Sequence, residues 1–408
     1  MANKNIYRKN DRTAPSKPWF QPPPPLGKDR HIAIIGAGIA GLVTALALQK
    51  NGYQVTIFNR DERPMNGASG NPAGILDPHI SLGKSPENVF YHAALFHALD
   101  YYHSLDPDIL LVKGLTGYPA RASEQQRFVK FHQQNHLPPE FMSISPDGIL
   151  HFPQLGAISP PRIREILAGQ LSIRNGKAIT RIRHHQKWHL YNDETECAVA
   201  DAVIICCGAD SISFADIPLD PVRGQITLLD GGGLDGGVNT PTGVLCGKGY
   251  IIPPVRLDGR MTIVTGASFQ RNDRDRSLRP EDHRENLANA GKLWPEITSR
   301  AITGGRCAIR AYSPDHMPVC GPLPDFPKYH AAYEMLKHGP KHQDYINAPY
   351  QPNLYILSGL GARGFLSAPL LGDMLSALIS GTPPPLPEAI CQSLHPGRFM
   401  IRKLIKGK

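Results

Sequence analysis

The sequence predicts an α/β fold in which a dinucleotide-binding domain is interleaved with a smaller α+β domain built on an antiparallel sheet. Three observations carry this. The run His31-Ile-Ala-Ile-Ile-Gly36-Ala-Gly38-Ile-Ala-Gly41 reads as a buried strand, a tight turn and a helix start. The strand-then-glycine pattern returns at Asp201-Ala-Val-Ile-Ile-Cys-Cys-Gly208 and at Tyr355-Ile-Leu-Ser-Gly359-Leu-Gly361-Ala-Arg363-Gly364. Short β-type runs at 110–118, 224–229, 249–253 and 261–267 suit a separate antiparallel sheet.

Taken in order, residues 1–28 are polar and proline-rich and read as a flexible arm, with Trp19-Phe20 as a pair able to dock on a neighbouring surface. In the first glycine motif, Gly36 permits the sharp turn, Gly38 lets backbone approach a pyrophosphate, and Gly41 lets helix and strand pack closely. The helix start then offers N–H groups and a positive dipole end to phosphate, as in a Rossmann-like domain. A second strand, 54–58, follows, and Asn59 stands where an acidic residue usually meets the adenosine ribose. The second small-residue loop, Gly67-Ala-Ser69-Gly70-Asn71-Pro-Ala-Gly74, separates FAD from a nicotinamide cofactor, because FAD needs close backbone approach more than once. An ordinary loop is the alternative.

Segments 89–105 and 161–171 are expected helices, and 324–349 is an expected surface insertion. Segment 367–379 is a third expected helix, with Pro369 in its first turn and its N-terminus toward the flavin pyrimidine ring. The cofactor residues expected are Gly36, Gly38, Gly41, Asn59, Gly67, Ser69, Gly70, Asn71, Gly74, Gly208, Gly361, Arg363, Gly364 and Phe365. The predicted domains are the arm (1–28), a discontinuous FAD-binding domain (29–105, 156–215, 311–395), a substrate domain (106–155, 216–310) and a basic tail (396–408).

The 44 Lys+Arg against 35 Asp+Glu leave a net charge of +9, compatible with an anionic partner such as RNA. Seven cysteines without a C-x-x-C pair, and no secretory leader, point to a reducing cytoplasm and no membrane. No zinc-like Cys/His spacing occurs, so no metal is expected. In the tail, Arg398, Arg402, Lys403, Lys406 and Lys408 have no acid among them, while Ile401, Leu404 and Ile405 have helical spacing. Apolar anchoring with cations toward phosphates is one reading, a solvated end the other. The patch 271–279 carries four arginines and two aspartates whose charges offset one another.

From about residue 17 onward the chain resembles the FAD-dependent oxidase half of the bifunctional tRNA 5-methylaminomethyl-2-thiouridine biosynthesis family, within the D-amino-acid oxidase and glycine oxidase superfamily. The carriers are Gly67-Ala-Ser-Gly-Asn71, Pro221-Val-Arg-Gly-Gln225, Cys307-Ala-Ile-Arg310, Asp315-His-Met-Pro318, Gly361-Ala-Arg-Gly364, Ser367-Ala-Pro369 and the basic ending. The resemblance implies oxidation of the carboxymethylaminomethyl group on a tRNA wobble uridine, releasing glyoxylate and leaving the aminomethyl form. It also implies that Arg310 binds the carboxylate, that Tyr250 faces the flavin, and that Lys248 and Arg363 are further candidates at the reacting end. His316 reads as structural, and Arg223 as a residue of the domain interface or substrate entrance. With 30 residues before the first motif, methylation is expected of a separate tRNA methyltransferase. A small-molecule amine oxidase acting on glycine, sarcosine or a D-amino acid is the competing reading.

Overall fold

Parallel pairing around His31–Ile35 organises the first of two units. The computed structural model describes residues 17–135, 137–233, 240–339 and 343–407. One unit comprises Met1–Asn66, Ile166–Asp220 and Ala311–Lys408, the other Gly67–Glu165 and Pro221–Arg310.

In the first unit a six-stranded sheet runs in the order Val319–Pro324, Tyr350–Ser358, Ala202–Ile205, His31–Ile35, Gln54–Phe58, Ile173–Arg174. All neighbours are parallel except the first pair. The register sets Ile34 opposite Ile204 on one side and Ile57 on the other, and all three are fully buried. Helices Ile39–Lys50 and Gly364–Ser380 pack against each other. A Cβ on Gly372 would lie 3.1 Å from the Val43 side chain, so only a very small residue fits this crossing. Both helices are apolar on nearly every face, as elements inside a layered core must be. The second begins three residues before the expected start, which places Pro369 inside the helix rather than in its first turn. Its missing N–H forgoes the bond to the Phe365 carbonyl. A three-stranded antiparallel sheet, Arg181–His185, Lys187–Asn192 and Thr195–Ala200, completes the strands of this unit.

Two expectations change here. Residues 17–28 are not a free arm: Pro18–Phe20 forms a 3-10 turn whose Trp19 is 4% exposed. It packs with Tyr329, Tyr333, Leu336, Ile401 and Leu404. Tyr329 donates its hydroxyl hydrogen to the Trp19 carbonyl, and the Leu26 N–H donates to the Ile379 carbonyl at 2.8 Å. Two aromatics provide the burial that the prolines lack, and fixed proline φ angles leave less backbone entropy to lose. Residues 1–16 lie outside the described residues. The supposed surface insertion is likewise core, since helix Phe326–Tyr333 and the 3-10 turn Glu334–His338 provide Tyr329, Tyr333 and Leu336 to the same cluster.

The second unit holds a ten-stranded sheet. Its main path runs Gln270–Arg271, Asp220–Asp230, Arg260–Gly266, Tyr250–Leu257, Val244–Cys246, Leu110–Gly117, Leu150–Ile158, Gly74–Ile75. Ile302–Tyr312 pairs beside Asp220–Asp230. The path is antiparallel apart from the pair formed by Leu110–Gly117 and Val244–Cys246. Leu229, Ile251 and Ile263 on its strands pack with Ala290, Trp294 and Ile297. Residues 67–105, expected with the cofactor domain, group with this unit. Gly74 and Ile75 pair with Ile158 and Ala157, and Phe96 of helix Pro86–Leu105 stacks on Phe141 with centroids 4.8 Å apart. Among the described residues, no helix is long and apolar enough to cross a membrane.

Candidate active site

In the first unit three parallel strands, His31–Ile35, Ala202–Ile205 and Tyr350–Ser358, each end in a glycine turn on the same edge of the sheet. That carboxyl edge is where open α/β sheets receive ligands. Gly36 takes φ +107°, and a Cβ there would stand 2.5 Å from the Cys206 carbonyl oxygen. A Cβ on Gly41 would lie 2.0 Å from the Gly36 carbonyl oxygen, so any side chain would force the turn off the helix. Gly38 is the N-cap of helix Ile39–Lys50, and Arg363 that of helix Gly364–Ser380. Neither end has a side-chain cap or an acidic residue in its first turn. The two starts adjoin, a Cβ on Gly364 lying 3.7 Å from Ile39 Cγ2. Ser358 Oγ donates to the Gly208 carbonyl at 2.9 Å, tying the second turn to the third. Burial pushes the Cys207 thiol up to about 12, so no thiolate charge stands beside the first turn.

Asn59 is buried, and its amide N–H groups donate to the Asp61 carbonyl and to Asn175 Oδ1, both at 2.8 Å. Only its carbonyl oxygen is left for a hydroxyl. Phe365 is half-buried in the first turn of its helix. Gly361, at φ +56°, has its Cα against the ring of Tyr312, where a Cβ would come within 2.7 Å. A glycine-lined edge with two uncapped helix starts and no first-turn carboxylate fits the pyrophosphate of a dinucleotide.

The second unit places the remaining candidates. Gly67, Ser69, Gly70 and Asn71 form one turn, closed by Gly70 N–H to the Gly67 carbonyl at 3.1 Å, and Gly74 opens the next strand. Arg306 grips this turn, donating to the Gly67 carbonyl at 2.6 Å and to Asn71 Oδ1 at 3.0 Å. Sequence reading missed Arg306. The available signal is its spacing, since 306, 308 and 310 share one face of strand Ile302–Tyr312.

Arg310 on that strand is half-buried, and its guanidinium makes no hydrogen bond or ion pair with any described residue. Burial pushes the Tyr250 phenol up to about 12, with the neighbouring Arg310 cation acting in the opposite direction. At neutral pH Tyr250 is therefore a hydrogen-bond donor. Lys248 lies exposed in the turn before Tyr250.

Three expectations are corrected. Arg223 is fully buried within the second unit and belongs to no entrance. It pairs with Asp282 and also donates to Gln270, Gln225 and the carbonyls of Asp275 and Ser277, fixing the segment before helix Pro280–Ala290. In the patch 271–279 the charges do not cancel: Arg279 alone pairs with both Asp273 and Asp275, and Arg271, Arg274 and Arg276 remain exposed. The tail is not a row of unpaired cations. Arg398 is 1% exposed and bonds both Asp315 oxygens at 2.9 Å, and Arg402 pairs with the same carboxylate. Ile401 and Leu404 anchor the helix Arg398–Ile405 as its spacing suggests, whereas Ile405 stays exposed. Lys403 and Lys406 are exposed, and Lys408 lies outside the described residues. His316 is exposed, at φ +61°, with its ring edge-on to Tyr312.

Comparison with known proteins identifies the family and the fold. The chain is 32% identical over 418 residues to the tRNA 5-methylaminomethyl-2-thiouridine biosynthesis bifunctional protein MnmC of Pseudomonas savastanoi pv. phaseolicola. It is 30% identical to the protein of that name from Pseudomonas aeruginosa strain UCBPP-PA14. Each match takes in 96% of this chain but only 62% and 63% of the relative, so the chain spans less than two thirds of their length. The fold is similar to glycine oxidase from Geobacillus kaustophilus, with TM-score 0.70 at 18% identity over 90% of this chain and 99% of that one. It is also similar to L-proline dehydrogenase from P. horikoshii, with TM-score 0.70 at 15% identity over 92% and 99%. The FAD dependent oxidoreductase family model, DAO, matches residues 31–378, a stretch that begins at the first glycine-turn strand and runs through the helix of the third. The chain belongs to this family, an oxidoreductase whose cofactor is FAD.

Proposed function

We propose that this protein oxidises the glycine unit of a 5-carboxymethylaminomethyl uridine in tRNA, releasing glyoxylate and leaving the 5-aminomethyl form. The observation that carries the reading is Arg310, a half-buried guanidinium without a protein acceptor among the described residues, beside the neutral hydroxyl of Tyr250. A planar fork of donors left open in this way matches the two oxygens of a carboxylate. Tyr250 donates a further hydrogen bond to the same group. With the carboxylate held, the attached α-carbon has a fixed place, and oxidation proceeds from the neutral form of its amine.

Bound FAD supplies the acceptor for the hydride that leaves the α-carbon. Gly36, Gly38 and Gly41, with the turns at Gly208 and Gly361–Gly364, hold the cofactor through backbone N–H groups, and Asn59 accepts from the adenosine ribose. Arg306 keeps the Gly67–Asn71 turn in place, and Phe365 and Arg363 line the start of the helix. The substrate carbon–nitrogen bond is left as an imine, which water hydrolyses to glyoxylate and the primary amine. No metal is required.

The relatives' names support tRNA as the substrate, and the net charge of +9 suits a polyanion. Exposed Lys403 and Lys406 are the tail cations left to meet phosphate. The product then passes to a separate tRNA methyltransferase, and the setting is the cytoplasm. Mass spectrometry of tRNA nucleosides after incubation with the purified flavoprotein tests this. The expected result is conversion to the aminomethyl nucleoside with equimolar glyoxylate. Turnover of free glycine or sarcosine with the tRNA untouched would overturn it in favour of a small-molecule amine oxidase.

A further inference from the structure

We infer that Gly224 is a positioning residue that sets where the Arg310 guanidinium lies, so that an absent side chain on one strand aims the cation of its neighbour. The inference rests on the reading of Arg310 as the carboxylate clamp. Strands Asp220–Asp230 and Ile302–Tyr312 are paired in the sheet of the second unit. A Cβ on Gly224 would stand 2.3 Å from Arg310 Nη1, 2.7 Å from Cζ and 2.9 Å from Nη2. The guanidinium is thus seated on the Gly224 backbone. Carbon and nitrogen atoms not bonded to each other keep about 3.5 Å apart, so any side chain at 224 moves the cation by roughly 1 Å.

The flanking residues are used for other purposes. Arg223 is saturated by its partners, and Gln225 donates to the Arg279 carbonyl while accepting from the Arg279 N–H. The crowding at Gly224 falls on the end of a flexible side chain rather than on backbone. Gly224→Ala therefore spares the sheet and moves the clamp. The situation at Gly41 is the opposite, because there the added carbon meets a carbonyl oxygen of the backbone.

The test uses the flavin-loaded protein and glycolate, a small carboxylate, with its affinity measured by calorimetry. Flavin content and melting temperature are recorded alongside. Gly224→Ala should bind glycolate about 10–100-fold more weakly, as expected when a binding group is displaced by about 1 Å, with flavin content and melting unchanged. Made in an Arg310→Ala background, the same change should cost nothing further, because the group it acts through is gone. Gly304→Ala, on the strand of Arg310 but with the nearest neighbouring atom 4.0 Å from the added carbon, should bind as wild type. Wild-type affinity in Gly224→Ala, loss of flavin from it, or an equal loss in the Arg310→Ala background would each overturn the positioning role. Wild-type affinity in Arg310→Ala alone would instead remove the clamp itself and Gly224's part with it.

Discussion

Arg310 in the second unit and Arg398 in the first are the same side chain in opposite states of pairing. Arg398 is buried and saturated. Its Nε and Nη2 hold Asp315, its remaining donors reach the carbonyls of Leu394, His395 and Met317, and its guanidinium lies 4.1 Å from the Phe399 ring centre. Arg223 is saturated in the same manner. Arg310 is half-buried, seated on a glycine, and has no acceptor among the described residues. A guanidinium has five N–H donors, and a folded chain that leaves them all open at a partly desolvated place forgoes stability there. What separates a structural arginine from a binding one is therefore whether its donors are used, and burial alone does not decide it.

The largest expected effect lies on the saturated side. Arg398→Ala leaves Asp315 without its bidentate partner, and breaking a buried pair in this way costs about 3–5 kcal/mol. Chemical denaturation should show this as an earlier midpoint, while turnover per folded molecule stays near wild type. Truncation after Pro396 should act in the same direction, because it removes the helix that carries Arg398, Ile401 and Leu404. A stable truncated protein would mean that the Asp315 cluster adds little.

His395 sharpens the comparison through pH. Its Nδ1 accepts from the Gly397 N–H at 3.0 Å, which leaves Nε2–H to face the Tyr350 hydroxyl at 3.0 Å. Burial first, then the nearby Arg398 cation, lowers its pKa to about 3. The folded value lies below that of an unfolded histidine, so the unfolded chain takes up the proton first as pH falls. Stability is then lost between about pH 6.5 and the folded value, at about 1.4 kcal/mol per pH unit for this one proton. Asp315 acts in a lower window. Although burial works against its charge, Arg398 and Arg402 hold it well below the usual carboxylate range. Its contribution is present above about pH 4 and lost below. His395→Gln should flatten the slope of unfolding free energy against pH between about 6.5 and 3, leaving only the Asp315 part below about pH 4. An unchanged slope would show that His395 titrates freely.

The smallest effect concerns the tail cations not engaged by Asp315. Replacing Lys403 and Lys406 with Ala should leave flavin content intact. It should make the dependence of log affinity for tRNA on log salt shallower, by about 0.7–0.9 per phosphate contact removed. The same slope with the same affinity would mark the helix surface as solvated.

How much of this was legible depended on the range of the interactions. The glycine turns could be read because the positive φ of Gly36 and the approach of Gly41 to the Gly36 carbonyl are set within six residues of chain, and Arg310 is singled out because it sits in a family motif. Arg398 reads locally as either a phosphate contact or a solvated cation, and is neither, because its partner lies 83 residues away. Trp19 docks against Tyr329 across 310 residues; the adjacent aromatics signal a docking pair, but nothing local names the surface that receives it. Arg306 reaches back 235 residues to Asn71, so only its spacing from Arg310 on one strand face hinted at it. Boundaries slipped for a related reason, since residues 67–105 follow the first glycine motif in sequence but pair with strands read from later sequence.

The proposed function rests on the unsaturated guanidinium of Arg310 holding the substrate. Anaerobic mixing of the flavin-loaded protein with tRNA bearing the carboxymethylaminomethyl uridine, followed by loss of the flavin absorbance, tests it directly. Removing one partner of a desolvated charge pair costs about 2–5 kcal/mol, so Arg310→Ala should reduce the flavin roughly 30-fold to several-thousand-fold more slowly at low substrate. It should retain FAD and wild-type stability, and Arg310→Lys should recover only part of the rate, since an ammonium has no fork. Wild-type reduction rates in both variants, with FAD still bound, would remove Arg310 as the carboxylate clamp.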